Sequence, residues 1–350
     1  MRIAIEAATL GLSSGGLARY TAELSLALAR CYPDDEFYLV SDQPFRMPPG
    51  APPNLKRGGG PRNALERRWW LWGIARELDR LGADLVHGPD FAVPYIPRRP
   101  SVLTLHDLSP WMDPAWHTHA RRVAGRTPLL LELGLATMIL TPSERVRRQA
   151  IERFRLRPER VVAAPEAAPP WLRPVKDTPD TPYFLFVGAL EPRKNLPALV
   201  EAWRAMRRRY PIDLVLAGRR RDDCPPIPQE PGIRALGETP DEDLARLYSG
   251  AVAFVYPSLY EGFGLPVLEA MQCGACVIAS RAVAETAGDA AAYADTVEDL
   301  TRAMIRAVED PGWRAARRAQ SLARAREFSW ERTARITRQV YEEARKRFAG

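Results

Sequence analysis

Apolar positions along this chain fall into two alternating patterns. Short unbroken runs, several of them bounded by Pro, Gly or Asp, read as β-strands: RIAIEA, EFYLV, ADLVHG, SVLTLHD, ATMILTPS and RVVAAP in the first half. YFLFVGA, IDLVLAG, GIRALG, AVAFVYPS and CVIAS follow in the second half. Between the runs, apolar residues recur at helical spacing over Leu17–Arg30, Ser143–Phe154, Leu196–Arg209, Asp241–Ser249 and Pro266–Cys273. Ser143 is the expected N-cap of its helix. Alternation of this kind predicts parallel sheets covered on both faces by helices.

The scheme runs through twice. APPWLRPVKDTPDTP (Ala168–Pro182), dense in proline and polar residues, has the composition of a linker between the two rounds. The predicted fold class is therefore α/β, with two Rossmann-like doubly wound domains, 1–172 and 173–330, facing a central cleft. Ligands are expected at the carboxyl ends of the strands. Gln43–Pro61 and Trp111–Pro128 read as loops of the first domain.

Length and composition change this picture little. The chain has 350 residues, 46% hydrophobic and 27% charged, enough for two cores. Its net charge of +7 suits phosphate-bearing ligands or an anionic membrane surface. All but four of the 50 Lys and Arg residues are arginine, scattered without interleaved aromatics, so no nucleic-acid surface is expected. Glu6 interrupts what would be the apolar core of a signal peptide. The longest apolar stretch, Pro128–Leu140, is too short to span a bilayer and contains Glu132. A soluble, cytoplasmic protein is the expectation.

Several candidate sites are read as structural. Cys273 and Cys276 would end a helix and open a strand, and no second ligand pair stands at zinc-finger spacing. His117 and His119 lack a partner set and read as loop residues. Asp222–Asp223 lacks the middle residue of a metal-binding DxD. ALERRWWLWGIARELDRLG (Ala64–Gly82) carries Trp69, Trp70 and Trp72 on a basic amphipathic stretch, expected to be a core-packing helix with a partly exposed rim.

The chemistry concentrates in YEGFGLPVLEAMQCG (Tyr260–Gly274). Pro266 suits the first turn of a helix. Gly262-Phe263-Gly264 lets backbone approach a ligand, and the N–H groups at the helix start, near Leu265, favour an anion. Glu269, a turn further on, has the reach to grip a ribose diol, and Glu261 is left for whatever hangs from the phosphate. Ribose, phosphate and a polyhydroxyl group describe a nucleotide sugar.

These residues resemble a known family. The E-x7-E pair Glu261/Glu269, with VGALEPRKN (Val187–Asn195), LTLHDLSP (Leu103–Pro110), SGGLARYTAEL (Ser14–Leu24), TPSERVRR (Thr141–Arg148) and FSWERTA (Phe328–Ala334), is similar to the retaining glycosyltransferases of family 4, which have the GT-B fold. Bacterial mannosyltransferases of surface-polysaccharide assembly are the nearest in kind. The resemblance implies that Arg193 and Lys194 neutralise the departing diphosphate, although many relatives carry a further arginine where Ala189 stands. It also implies that Glu269 holds the ribose, and that Glu261 with the backbone of Gly262, Phe263, Gly264 and Leu265 holds the sugar. Gly15 and Gly16 would let the first domain's loop approach the phosphate, His106 would lie near the reacting sugar, and the base near Gly237–Thr239. Residues 331–350 would cross back onto the first domain. The donor implied is an NDP-hexose, GDP-mannose first, with UDP-glucose and dTDP-rhamnose open. The acceptor is a saccharide or lipid-linked saccharide, with peripheral contact to anionic membrane and no metal or other cofactor.

Two other classes stay in view. An NAD(P)-dependent oxidoreductase also uses Rossmann-like domains, but Gly11, Gly15 and Gly16 do not form G-x-G-x-x-G. A non-catalytic two-lobed sugar-binding protein is commonly exported, which does not suit this N-terminus.

Overall fold

The computed structural model describes residues 1–12, 15–116, 121–179 and 181–349, without the side chains of residues 121 and 122. Ser14, His117 and His119 lie outside the described residues. The chain forms two compact units. Met1–Met112, His119–Glu166 and Ser329–Gly350 make the first; Asp113–Thr118 and Ala167–Phe328 make the second.

In the first unit the strands are β1 (Arg2–Glu6), β2 (Glu36–Val40), β3 (Leu55–Arg57), β4 (Leu85–Gly88), β5 (Ser101–Thr104), β6 (Met138–Thr141) and β7 (Val161–Ala163). Among the described residues they form one seven-stranded sheet in the order β3-β2-β1-β4-β5-β6-β7, every pair parallel. A sheet buried on both faces needs unbroken apolar strands, and Val102, Leu103, Ile139 and Leu140 are accordingly buried. The helices are α1 (Gly16–Cys31), α2 (Ile74–Leu81), α3 (Arg121–Glu132) and α4 (Glu144–Phe154). Ser143 caps α4 as expected, its Oγ accepting the Val146 N–H at 3.2 Å.

The second unit repeats the plan with β8 (Tyr183–Val187), β9 (Asp213–Ala217), β10 (Ile233–Gly237), β11 (Ala253–Tyr256), β12 (Val277–Ala279) and β13 (Ala292–Tyr293). Their order is β10-β9-β8-β11-β12-β13, again parallel. Its helices are α5 (Leu196–Arg207), α6 (Asp241–Gly250), α7 (Leu265–Gln272), α8 (Ala284–Ala287), α9 (Val297–Glu309) and α10 (Pro311–Ala325). The chain then returns: α11 (Trp330–Ala349) belongs to the first unit, burying Ala334, Val340, Tyr341 and Ala344. In each sheet the strand order reverses beside the first strand, between β1 and β4 and between β8 and β11. Loops diverge at such a switch point and leave a crevice at the carboxyl edge.

The structure departs from the sequence reading in several places. β3 lies inside the expected Gln43–Pro61 loop, and α3 occupies part of the expected Trp111–Pro128 loop. Pro128 sits within α3, where a proline reads as a helix stop. The tryptophan stretch is not one helix. Trp69–Gly73 forms a single wide π-helical turn before α2, and a Cβ on Gly73 would lie 2.1 Å from the Glu66 carbonyl oxygen. That turn drives Trp69 into a cluster with Ala4, Ile74 and Val86, while Trp70 packs at its edge. Finally, the chain changes units at Glu166–Ala167, before the boundary read at 172. Ala168 and Leu172 are buried with the second core, and the Gln272 amide donates to the Pro169 and Leu172 carbonyls at 2.6 and 2.7 Å.

Candidate active site

The second switch point begins with a close approach of two strand ends. A Cβ on Gly218, after β9, would lie 2.0 Å from the carbonyl oxygen of Gly188, after β8, so only glycine fits. From Gly188 the chain runs through Glu191 into one 3-10 turn, Pro192–Lys194, before α5. The turn points Arg193 and Lys194 inward, leaving them 8% and 6% exposed. They are not a solvated loop.

Both cations meet Glu261, from the loop after β11. Arg193 Nη1 donates to Glu261 Oε2 at 3.1 Å and to the Tyr260 carbonyl at 2.7 Å, while Nη2 donates to Glu191 Oε1 at 2.8 Å. Lys194 Nζ donates to Glu261 Oε1 at 2.6 Å and to the Tyr256 hydroxyl at 2.7 Å. Arg221 extends the network, pairing with Glu191 and, at 2.6 Å, with Asp223. Three cations and three anions thus compensate one another where an unpaired charge would cost several kcal/mol.

The charges follow from this geometry. Burial pushes the Glu261 carboxyl up, but Lys194 and Arg193 outweigh it and bring its pKa down to about 2. Burial and the adjacent Arg193 draw the Lys194 ammonium below its ordinary value, against the pull of Glu261 and Glu191. Burial, then Glu261, hold the Tyr256 phenol well above its ordinary range, so it stays a hydroxyl. The arrangement offers two cations, close together and already stripped of water, to an anion able to share them with carboxylates.

α7 starts beside this cluster in sequence. Its N-cap, Gly264, has φ +92°, and a Cβ there would come within 2.6 Å of Val283. Phe263 and Leu265 are buried, Gly262 precedes the turn, and Pro266 stands in the first turn as expected. Glu269 lies on the buried face of α7, 2% exposed, and accepts the Tyr248 hydroxyl of α6 at 3.0 Å. The two glutamates therefore serve different neighbours. The Gly237 carbonyl accepts the Gly218 N–H at 2.7 Å, next to a cavity of about 480 Å³ lined by Leu190, Gly218, Arg220, Ile227 and Gly237. A larger hollow, about 710 Å³, lies in the first unit around Asp84, Arg99 and Phe348, and its lining includes none of the predicted site residues.

In the first unit Gly15 has φ +119° and Gly16 opens α1; a Cβ on either would meet nothing within 4 Å. His106, just beyond β5, is clasped from two sides. Its Nε2 lies 2.6 Å from the Pro89 carbonyl oxygen and its Nδ1 3.4 Å from Glu166 Oε1. Tyr20 and Phe91 meet the ring edge to face at 4.7 and 5.9 Å. Burial lowers the imidazole pKa, yet Glu166, the Pro89 carbonyl and Asp90 together raise it above its ordinary value. Behind it runs a chain of hydrogen bonds: Tyr341 hydroxyl to His87 Nδ1 at 2.7 Å, His87 Nε2 to Thr104 at 2.8 Å, Thr104 to Tyr20 at 3.0 Å. Burial depresses the His87 pKa to about 3, with His106 adding to the effect, so His87 is neutral.

Glu191, Arg221, Tyr256 and Glu166 carry this geometry and were not singled out in the sequence, and Asp223 was weighed only as part of an incomplete DxD. Each lies at or shortly after the carboxyl end of a strand, which was the available signal. Asp223 serves Arg221. Cys273 and Cys276 are free and buried, and burial pushes their thiols up to about 12 and about 11.

Known proteins share this fold. Residues 181–310 match the family described as Glycosyl transferases group 1, and residues 14–170 match Glycosyltransferase Family 4. The O-antigen chain mannosyltransferase B of Escherichia coli is 36% identical over 304 residues, covering 79% of this chain and 78% of that protein. A sucrose-phosphate synthase from Thermosynechococcus elongatus superposes with a TM-score of 0.72 at 21% identity over 98% of both chains. Anabaena HepE, solved in complex with UDP-glucose, superposes at 0.70 with 17% identity over 98% of this chain and 99% of its own.

Proposed function

The chain belongs to the glycosyltransferases of group 1 and family 4, and from that premise we propose that it is a retaining mannosyltransferase drawing on GDP-mannose. It is a hexosyltransferase of the GT-B fold class. The observation that carries the finer reading is its likeness, over most of both chains, to a mannosyltransferase of O-antigen assembly. The compensated cluster of Arg193, Lys194 and Glu261 beside the start of α7 supports it, because a nucleotide sugar presents a diphosphate to cations and a hexose to a carboxylate.

In this reading Arg193 and Lys194 take up the charge that develops on the leaving diphosphate. Glu261 then exchanges part of its ion pairing for hydroxyls of the hexose, and Glu269 serves the ribose. The leaving phosphate accepts the acceptor's proton on the face it departs from, so configuration is retained. A double displacement through an enzyme carboxylate is the competing route. The acceptor is a saccharide or lipid-linked saccharide. Among the described residues no helix is long and apolar enough to cross a membrane. We place the protein at the cytoplasmic face of the membrane, held by basic residues such as Arg67 and Arg68.

Calorimetry with GDP-mannose, UDP-glucose and dTDP-rhamnose tests the donor. GDP-mannose should bind tightest, and preference for either of the others overturns the assignment. Proton NMR of the mannosylated product should show retained anomeric configuration. Transfer should survive excess EDTA; loss of activity restored by Mg²⁺ or Mn²⁺ would show that the cationic cluster does not suffice for the leaving group.

A further inference from the structure

His106 has hydrogen-bond acceptors at both ring nitrogens. A carbonyl oxygen at 2.6 Å requires a proton on Nε2, and a carboxylate oxygen at 3.4 Å favours one on Nδ1. Neither nitrogen is then left with a lone pair. The ring also meets Tyr20 and Phe91 in edge-to-face contacts. Glu166 is itself buried, so its carboxylate has lost most of its hydration and gains by a cationic partner.

We propose that Glu166 is a positioning residue: it fixes the ring of His106 and keeps both nitrogens protonated, so that His106 enters the transfer as a held imidazolium and not as a proton acceptor. The proposal rests on the glycosyltransferase reading in one respect, the place near the reacting sugar that the family resemblance implies for His106. A proton shuttle needs a nitrogen that can change state within one turnover. A held imidazolium instead supplies a fixed positive charge, whose worth lies in needing no reorganisation as charge develops during the transfer. The groups facing His106 agree in sign. Glu166 from the end of β7 and Asp90 from the end of β4 favour the cation, neutral His87 and the Tyr20 hydroxyl add no charge, and Arg126 of α3 acts on Asp90.

The test is a proton-NMR titration of the imidazole C–H signals in the full-length protein. The chain has four histidines, and H106Q identifies the signal of interest by its loss. In the wild type His106 should titrate above its ordinary value. In E166Q it should titrate lower by about one to three pH units, the range expected for removal of an opposite charge at this distance. E166D should recover part of the difference and guards against a folding defect in E166Q. With GDP-mannose as donor, the pH at which kcat falls on the alkaline side should move down with the His106 titration, while KM for the donor stays constant. An unmoved His106 titration in E166Q, or a moved titration without a moved kcat profile, overturns the proposal. Absence of any transfer by the wild type would count against the functional reading, and the NMR titration would still decide whether Glu166 sets the state of His106.

Discussion

At the carboxyl edge of the second sheet, six charged side chains are gathered largely out of water, each cation against at least one carboxylate. At the same edge of the first sheet the buried polar groups are mostly neutral. Tyr341, His87, Thr104 and Tyr20 hand one chain of hydrogen bonds along, and His106–Glu166 is the charged pair. Glu6, at the end of β1, is held neutral as well. Burial, then Asp90 and Asp42, lift its carboxyl to about 8 against a hydrogen bond from the Ala8 N–H. One sheet plan thus tolerates two solutions to the same desolvation problem: cancelling charges, or not forming them. The first solution breaks abruptly when a member is lost, whereas the second responds gradually to pH.

Loss of one member should show this most strongly. Glu261→Ala leaves Arg193 and Lys194 buried without their shared carboxylate, and the second unit should lose about 3–5 kcal/mol, with transfer falling about a hundredfold or more. Urea unfolding followed by hydrogen exchange, unit by unit, reads the first number; a loss below about 1 kcal/mol would mean that water already reaches the cluster.

Raising the pH should separate the units next. Glu6 has a folded pKa near 8 against an ordinary value near 4.5, so its contribution falls as pH climbs between them. His106 is raised, so its contribution is complete below about 6.5 and is lost as pH passes its folded pKa. From about pH 6.5 to 8 the first unit should loosen, by at most about 1.4 kcal/mol per pH unit for each group. Glu261, with a folded pKa of about 2, holds its contribution above about 4.5 and loses it only as pH falls towards 2. Exchange rates corrected for pH should rise in β1 and β4 and not in β8 and β11. Equal rises in both sheets would erase the distinction.

A smaller effect tests Glu269. Tyr248→Phe removes a neutral donor to a buried carboxylate and should cost about 1–3 kcal/mol in the second unit. If Glu269 also serves the ribose, affinity for GDP should fall in Glu269→Gln by more than in Tyr248→Phe. Identical affinities would leave Glu269 a purely internal residue.

The smallest effect concerns the surface of the first unit. Arg67 and Arg68 are exposed while Trp69 is buried, so membrane attraction should depend on the arginines and be indifferent to Trp69. Each is worth about 1 kcal/mol near anionic lipid and is screened by salt. Co-sedimentation with anionic vesicles at low salt should fall in the Arg67→Ala, Arg68→Ala double variant. Equal binding to neutral vesicles would remove the electrostatic account.

Regular elements were legible because their signal is local. The unbroken apolar runs of β8 and β11 and the capping serine of α4 need no knowledge of the rest of the chain. β3 and β13 were not: β3 reads Leu-Lys-Arg, one buried apolar residue before two exposed cations, and β13 is only two residues long. The wide turn at Trp69–Gly73 depends on contact between Gly73 and the Glu66 carbonyl, which no helical periodicity encodes. At the site, Arg193, Lys194, Glu261 and Glu269 stood in recognisable motifs, and so did Glu191, but nothing in the motif told that Glu191 would pair with Arg193 and Arg221. Glu191, Arg221 and Asp223 come together only because β8 and β9 are neighbours in the sheet, and Glu166 reaches His106 from two strands away.

The return of α11 has a consequence in time. This helix packs on α1, β5 and β6, and its Tyr341 completes the hydrogen-bond chain at His87, yet the ribosome makes it only after the whole second unit. At about 5–20 residues per second, the older half waits roughly ten to forty seconds for its last helix. The second unit, begun later, has all its strands in hand and can close first. Until α11 emerges, the surface that will receive Ala334, Val340 and Tyr341 is open and apolar, the kind of surface on which a chaperone acts.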